Sequence, residues 1–353
     1  MRWINNASKQ KDIRAGLRPN MESGAVQFVP KNFVLLKRPI SGLAEWLLSA
    51  FFTMRVAFDE YLLSLARQAG AFMKLGEQIR ELELDRNLIR LESGLEIAFD
   101  FLIGADGVNS RVAKALFGKS FDPETIGFGL EAEVPRNRLP AQSDKVEIDF
   151  GAARWGYGWV FPKQNSFTIG VGGIHRLNPD IQSRFTQYLE GKNLSRNDLT
   201  VKGQYIPFGD FRRVPGRGNV LLCGDAAGTV DPITGEGIAY AMQTGAAAGS
   251  AVVRAIESGR NALEIYCNEY SGVASSLRQA NFWRCLIFPK LLQRPFAWGF
   301  SDAGTLQRGY LDILAGERNY NALYRLFATQ AGKAMRKPFK LLWRSILRNS
   351  ISE

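Results

Sequence analysis

From Asn219 to Ala255 the chain passes from an apolar run, Asn219 to Cys223, through Gly224-Asp225-Ala226-Ala227-Gly228 and Asp231-Pro232 into Gly235-Glu236-Gly237-Ile238 and a long stretch rich in glycine and alanine. That order predicts a buried strand, a turn that glycine permits, and a tightly packed helix over Gly235 to Ala255. Small residues at such a corner let backbone approach a flat ligand closely. A carboxylate at the strand's end, Asp225, suits hydrogen bonding to a polyol chain. The amides of Gly237 and Ile238, at a helix N-terminus, face whatever negative charge lies ahead. A purely structural strand-turn-helix is the plain alternative, and the length of the pattern weighs against it.

A second corner lies upstream. Phe99 to Ile103 reads as another buried strand, running into Gly104-Ala105-Asp106-Gly107-Val108-Asn109-Ser110-Arg111, with Asn109 or Ser110 available to cap a helix. Two such corners in one chain weigh more than either alone, because each can hold a different part of one extended ligand. Before them, a helix is predicted from Phe58 to Gln68 with Leu62, Leu65 and Ala66 on its apolar face, stopped by Gly70. Strands follow at Ile79 to Leu84 and Leu88 to Leu91, joined by the turn Asp85-Arg86-Asn87. Phe128 to Gly173 reads as short strands of a single mixed sheet. There Tyr157, Trp159 and Phe161 alternate onto one face of a strand, which makes them either a ligand wall or sheet core. Lys163 either meets an anionic head group or is an ordinary surface charge. Ala25 to Leu36 reads as short strands with a turn, and the region beyond Ala255 reads as helical, interrupted at Pro289 and Pro295.

Composition excludes several classes. With 46% hydrophobic and 22% charged residues the chain is a globular one, and no apolar run is long enough to predict a transmembrane helix. The N-terminus is polar and basic, unlike a signal peptide. Cys223, Cys267 and Cys285 stand too far apart for a metal pair, and His175 is the single histidine. No metal site and no Ser-His-Asp triad are expected, and the sparse cysteines point to a reducing, cytoplasmic setting. The formal net charge is +11. Seven basic residues and no acidic one fall between Arg325 and Ser352. After Pro338, the residues Phe339, Leu342, Trp343, Ile346 and Leu347 share one helical face while Lys340, Arg344 and Arg348 lie on another. Residues 338–348 therefore read as an amphipathic helix, resting either on the inner face of a membrane or on its own domain, with nucleic acid not expected.

The two corners resemble the later FAD motifs of the p-hydroxybenzoate hydroxylase superfamily of flavoproteins. Tyr157-Gly158-Trp159-Val160-Phe161-Pro162-Lys163, followed by Ile169-Gly170-Val171-Gly172, is similar to the substrate-domain signature of the geranylgeranyl reductases. Arg55-Val56-Ala57-Phe58-Asp59 resembles their Arg-x-x-Phe-Asp before a helix. The matches cover residues 55 to about 330.

The resemblance implies an α/β (α+β) fold. In it an incomplete FAD-binding Rossmann-like domain (55–120 and 205–260) carries an inserted mixed β-sheet substrate domain (121–204) and a helical C-terminal region (261–353), with 1–54 a remnant of uncertain placement. It implies that Arg55 and the backbone near Ile79 contact FAD, with Asp106 and Gly107 near the pyrophosphate. Asp225 would meet the ribityl or phosphate region, Pro232 and Gly235 the same cofactor, and Gly237 and Ile238 the isoalloxazine. Tyr157, Trp159 and Phe161 would line a channel for a polyprenyl chain or lipid, with Lys163 at its end.

The activity implied is reduction of C=C bonds of a polyprenyl chain by reduced flavin, with electrons from NAD(P)H or another donor and no catalytic residue named. Alternatives are a flavin-dependent aromatic monooxygenase or halogenase of the same superfamily, or a non-catalytic fragment. Family members open with Gly-x-Gly-x-x-Gly and a downstream acidic residue. Here Gly127-x-Gly129 and Gly170-x-Gly172 lack the third glycine and the helix, and the family's cysteine-and-glycine segment is absent. The expectation is an N-terminally truncated chain that does not hold FAD tightly by itself.

Overall fold

Both apolar runs that lead into glycine corners become strands, and these two strands lie side by side. The computed structural model describes residues 26–27, 49–50, 55–139, 147–289 and 320. The chain divides into two units, Met1–Leu277 and Arg278–Glu353. The first 17 residues of the predicted C-terminal region, 261–277, thus belong to the first unit. The second is described only over residues 278–289, the end of one helix, and Tyr320. The basic segment 338–348, Pro295 and most of 1–54 lie outside the described residues.

In chain order, β1 (Val26–Gln27) pairs antiparallel with β2 (Ser49–Ala50). Helix α1 (Arg55–Gln68) begins ahead of Phe58 and gives way to a turn at Gly70, whose φ is 90°. Strands β3 (Ile79–Glu83), β4 (Leu88–Leu91) and β5 (Glu96–Ala98) form an antiparallel meander. Its first turn is the one expected, with Asn87 left-handed at φ 51°.

Next come β6 (Leu102–Gly104), α2 (Arg111–Phe117), β7 (Gly127–Pro135), β8 (Glu147–Asp149), β9 (Gly156–Pro162), β10 (Ser166–Ile174), α3 (Ile181–Glu190) and β11 (Val201–Ile206). The substrate-domain sheet has the order β11-β7-β10-β9-β8. Every pair in it is antiparallel, which corrects the expectation of a mixed sheet. The reason is local: β9 and β10 are joined by residues 163–165, too short a link for the crossover a parallel pair needs. Leu130, Ala132 and Val134 of β7, Val160 of β9, and Phe167, Ile169 and Val171 of β10 pack against Ile181, Phe185 and Leu189 of α3. Alternation sends Tyr157, Trp159 and Phe161 to the opposite face, where each is half-buried. That face is a wall, not the core on α3.

The chain returns through β12 (Gly216–Arg217) and β13 (Val220–Leu222), then α4 (Ile238–Ser258) and α5 (Ala262–Ile287). β13 runs parallel to β6, with Leu222 opposite Gly104, and the Cys223 amide donates to the Gly104 carbonyl at 3.0 Å. Val220 and Leu222 face α2 through Val112, Ala113 and Leu116. Leu221 points the other way, onto Ala248, Ala251 and Ala255 of α4 and Ile265, Tyr266 and Tyr270 of α5. Helices on both faces of a parallel pair give the α/β layering expected. Gly104 permits the close fit of α2, since a Cβ there would lie 2.7 Å from Leu222 Cδ2 and 2.8 Å from Val112 Cβ.

Helix α4 starts at Ile238, later than the predicted Gly235, and it is packed on one face only, through Thr244, Ala248, Ala251 and Ala255. A Cβ added at Gly249 would meet no atom within 4 Å. Gly249→Ala is therefore expected to stabilise the chain by about 0.5–1 kcal/mol, read as a higher thermal midpoint, because the helix gains propensity without a clash. An unchanged or lower midpoint would contradict that packing. Among the described residues no helix is long and apolar enough to cross a membrane.

Candidate functional site

The C-terminal ends of β6 and β13 are neighbours, so the corners that follow them open at the same place, where α/β folds bind ligands. Between these corners and the wall of the substrate-domain sheet lies a cleft of about 560 Å³.

At the first corner Asp106 is fully engaged. Its Oδ1 accepts from Ser110 Oγ at 2.5 Å, and its Oδ2 accepts from the amides of Arg111 at 2.7 Å and Val112 at 3.2 Å. Ser110 Oγ in turn accepts from the Ala113 amide at 2.8 Å, so Ser110, not Asn109, is the N-cap of α2. The Arg111 guanidinium donates to the Ile79 carbonyl, tying the meander to this corner. Asp106 and Ile79 are thus held by α2 and do not line the cleft, whereas Gly107, left-handed at φ 76°, does.

The second corner leaves its carboxylate free. The Gly224 amide donates to Thr244 Oγ1 and the Gly224 carbonyl accepts from Thr229 Oγ1, both at 2.9 Å, which pins the turn to α4. The Asp225 carboxylate has no hydrogen-bond partner among the described residues. Burial pushes its pKa up, and the nearby Arg55 guanidinium pulls it partly back. Arg55 lines the cleft while pairing with Asp59 at 2.7 Å.

Downstream, Asp231 Oδ1 accepts from the amides of Ile233 and Thr234 at 2.9 Å, a turn that buries Pro232 below the cleft surface. Glu236 then folds onto the start of α4 and accepts from the Ala239 amide at 2.7 Å. Burial raises its pKa, the Ala239 and Ile238 amides oppose that, and Asp231 and Asp225 add to it. The helix N-terminus expected to face a ligand's charge is therefore already covered by the chain's own carboxylate.

The wall is built on glycines. Cβ atoms at Gly170, Gly172 and Gly129 would lie 2.1, 3.3 and 3.4 Å from the indole of Trp159, which rests across all three. This is the role of the Gly-x-Gly pairs that fail as a nucleotide fingerprint. Tyr157 meets Trp159 edge-on at 5.9 Å between centroids, and Phe161 stacks on it at 6.1 Å. The Tyr157 hydroxyl donates to the Thr234 carbonyl, joining the wall to the loop before α4. Tyr157→Phe is expected to cost about 1–2 kcal/mol, read by denaturant unfolding, because it leaves that carbonyl unpaired; no change would show the bond to be dispensable. Lys163 pairs with Glu133 at 3.1 Å, and Glu133 also accepts from Ser166 and Thr168.

The cleft thus gathers Arg55, Gly107, Trp159, Asp225, Gly235, Gly237 and Ile238 from the expected set. Ile79, Asp106, Tyr157, Phe161, Lys163 and Pro232 stand behind or beside them. It also brings in Glu131, Lys202 and Gln204, which sequence reading passed over. Their signal was parity: on β7 Gly129 and Glu131 alternate with Leu130 and Ala132, a pattern shared by any strand with one solvated face.

The parallel β6–β13 pair with helices on both faces, beside a five-stranded antiparallel sheet, is a fold found among solved structures. A geranylgeranyl bacteriochlorophyll reductase-like protein from Thermoplasma acidophilum superposes with a TM-score of 0.62 at 17% identity, over 78% of this chain and 74% of that one, a likeness of fold. By sequence the chain is a relative of the geranylgeranyl reductases. It is 28% identical over 242 residues to digeranylgeranylglycerophospholipid reductase 1 of Methanosphaera stadtmanae, covering 64% of this chain and 59% of the relative. It is also 28% identical over 270 residues to menaquinone reductase of Mycolicibacterium smegmatis, covering 71% and 60%. The chain spans less than two thirds of the length of either relative. No family model matches it.

Proposed function

We propose that this chain supplies the flavin-facing corner and the substrate wall of an FAD-dependent reductase that saturates C=C bonds of a polyprenyl chain. The observation that carries the reading is that both glycine corners and the Trp159 wall open on one cleft. The residues present fit the cofactor: Asp225 is a half-buried carboxylate without a partner among the described residues, as an acceptor for polyol hydroxyls would be. Gly107, Gly235 and Gly237 expose backbone beside it, with room for a flat group.

When bound, reduced flavin would supply a hydride to one carbon of the double bond, and a proton from a separate donor would complete the saturation at the other carbon. The chain's own residues act by position. Asp225 anchors the polyol and Arg55 balances its charge. Trp159, held flat on its glycines, presents an apolar face along which an alkene lies while water is excluded. Such unactivated double bonds depend on placement more than on acid-base groups. Electrons come from NAD(P)H or another donor, and the amphipathic pattern of 338–348 supports access to lipid at a membrane surface.

The test is to load the full chain with FAD, reduce it with dithionite, and follow geranylgeranylated lipids by mass. A gain of two hydrogens per double bond is expected. An FAD-loaded chain that leaves every such lipid unchanged overturns the reading.

A further inference from the structure

The substrate end of the cleft holds a set of polar groups that the reading above does not use. Glu131 of β7 stands opposite Lys202 of β11 on one side and Gly170 of β10 on the other. Gln204 stands opposite Gly129, two positions along. All of these side chains project from the face that carries Trp159, and all line the cleft. Glu131, Lys202, Gln204 and the Trp159 indole N–H make no hydrogen bond or ion pair among the described residues. Because the indole's Cε2, the atom bonded to Nε1, is 2.3 Å from where a Gly170 Cβ would sit, its N–H lies at the Glu131 end of the wall. Exposed donors and acceptors converge there beside an apolar aromatic surface, the composition of a site for a ligand with an apolar body and a polar head.

The charge balance says which head. Lys202 is the one cation at this end of the lining, and Glu131 faces it directly across the strand pair. Lys163 next door pairs with Glu133 and, with Lys202, also draws on the Glu131 carboxylate. The other lining cation, Arg55, belongs to the Asp225 end, where Glu236 adds a further acid. A phosphate or diphosphate would therefore meet one lysine whose charge is already offset by a carboxylate. Were Glu131 protonated, the end would still carry a single cation, without the bidentate or multiple contacts that phosphates usually receive. An uncharged head fares better. A carbonyl oxygen accepts from the Trp159 N–H, the Gln204 amide or the Lys202 ammonium, and a hydroxyl donates to Glu131.

We infer that this cleft takes a polyprenyl compound whose head is uncharged and oxygen-bearing, a quinone or an alcohol, in preference to a prenyl phosphate or diphosphate. The inference rests on the reductase reading and narrows it to a substrate class. Equilibrium binding to the full chain, by calorimetry in one detergent, tests it with geranylgeraniol, a short-chain menaquinone and geranylgeranyl diphosphate. The alcohol or the quinone is expected to bind about tenfold or more tightly than the diphosphate, because the diphosphate's charges meet the Glu131 carboxylate with Lys202 as the one lining cation at that end to offset it. Glu131→Lys, a change on an open strand face, is expected to reverse that order, and Glu131→Gln to narrow it. Diphosphate binding as tight as or tighter than both neutral compounds overturns the head-group inference and leaves the reductase reading standing. No binding of any prenyl compound by a folded, FAD-loaded chain overturns the reductase reading itself.

Discussion

Replacing Gly170 with alanine is expected to destabilise the chain by about 2–3 kcal/mol and to weaken binding of any prenyl ligand about tenfold or more. The added methyl would stand 2.1 Å from Trp159 Cζ2 and 2.8 Å from the Leu130 carbonyl oxygen. The first neighbour is a side chain that has to leave its bed. The second is backbone of the adjacent strand and cannot yield without loosening the ladder. The two consequences separate in the double variant. Trp159→Ala on top of Gly170→Ala removes the larger clash and is expected to recover part of the lost stability while binding stays poor, a coupling that a double-mutant cycle reads directly. A Gly170→Ala protein with the parent's unfolding midpoint and prenyl affinity would show that the indole does not lie where the glycines receive it.

The two corner aspartates are expected to fail in opposite ways. Asp106→Ala removes the acceptor for Ser110 Oγ and two α2 amides and should cost about 2–3 kcal/mol of stability. Asp225→Asn breaks no hydrogen bond within the described chain and should leave the melting temperature unchanged or raise it, while reducing flavin affinity about tenfold to a hundredfold. The sign follows from burial. It lifts the Asp225 pKa in the folded chain above its unfolded value, so over that interval the native state holds more protons than the unfolded one. Stability then falls as pH rises through the carboxylate range, is lowest once the group is ionised in both states, and the asparagine variant loses that pH dependence. Melting curves from mildly acidic to neutral pH, with flavin absorbance retained after gel filtration, distinguish the residues. Asp225→Asn that melts as low as Asp106→Ala yet keeps its flavin would reverse the assignment.

The decisive signals of this chain are local. A glycine after an apolar run announces a turn wherever the rest of the chain goes, so both corners were legible; the Asp85-Arg86-Asn87 turn was too, while the α2 cap was narrowed to Asn109 or Ser110 and settled at Ser110 by the structure. Strand ends were less so: β6 starts at Leu102 and β13 at Val220, later than the predicted Phe99 and Asn219, although the Asn219 carbonyl still accepts from the Leu102 amide at 3.0 Å. The resemblance to geranylgeranyl reductases was carried by Tyr157 to Lys163 with Ile169 to Gly172 and by Arg55 to Asp59, the corners pointing to the wider superfamily, and the sequence likeness agrees with it.

Sequence alone determined the order of elements, the alternation that puts Tyr157, Trp159 and Phe161 on one face, and the two turns that expose Gly107 and Asp225. These follow from backbone preferences and side-chain periodicity, which act over a few residues. Only the tertiary structure decided that Asp106 serves a helix while Asp225 stays free, that Gly129, Gly170 and Gly172 exist to seat one indole, and that Glu131 confronts Lys202. Each depends on which strand lies beside which and in what register, and that is set by burying β7, β9 and β10 against α3, an outcome of the whole core that no short window of residues contains.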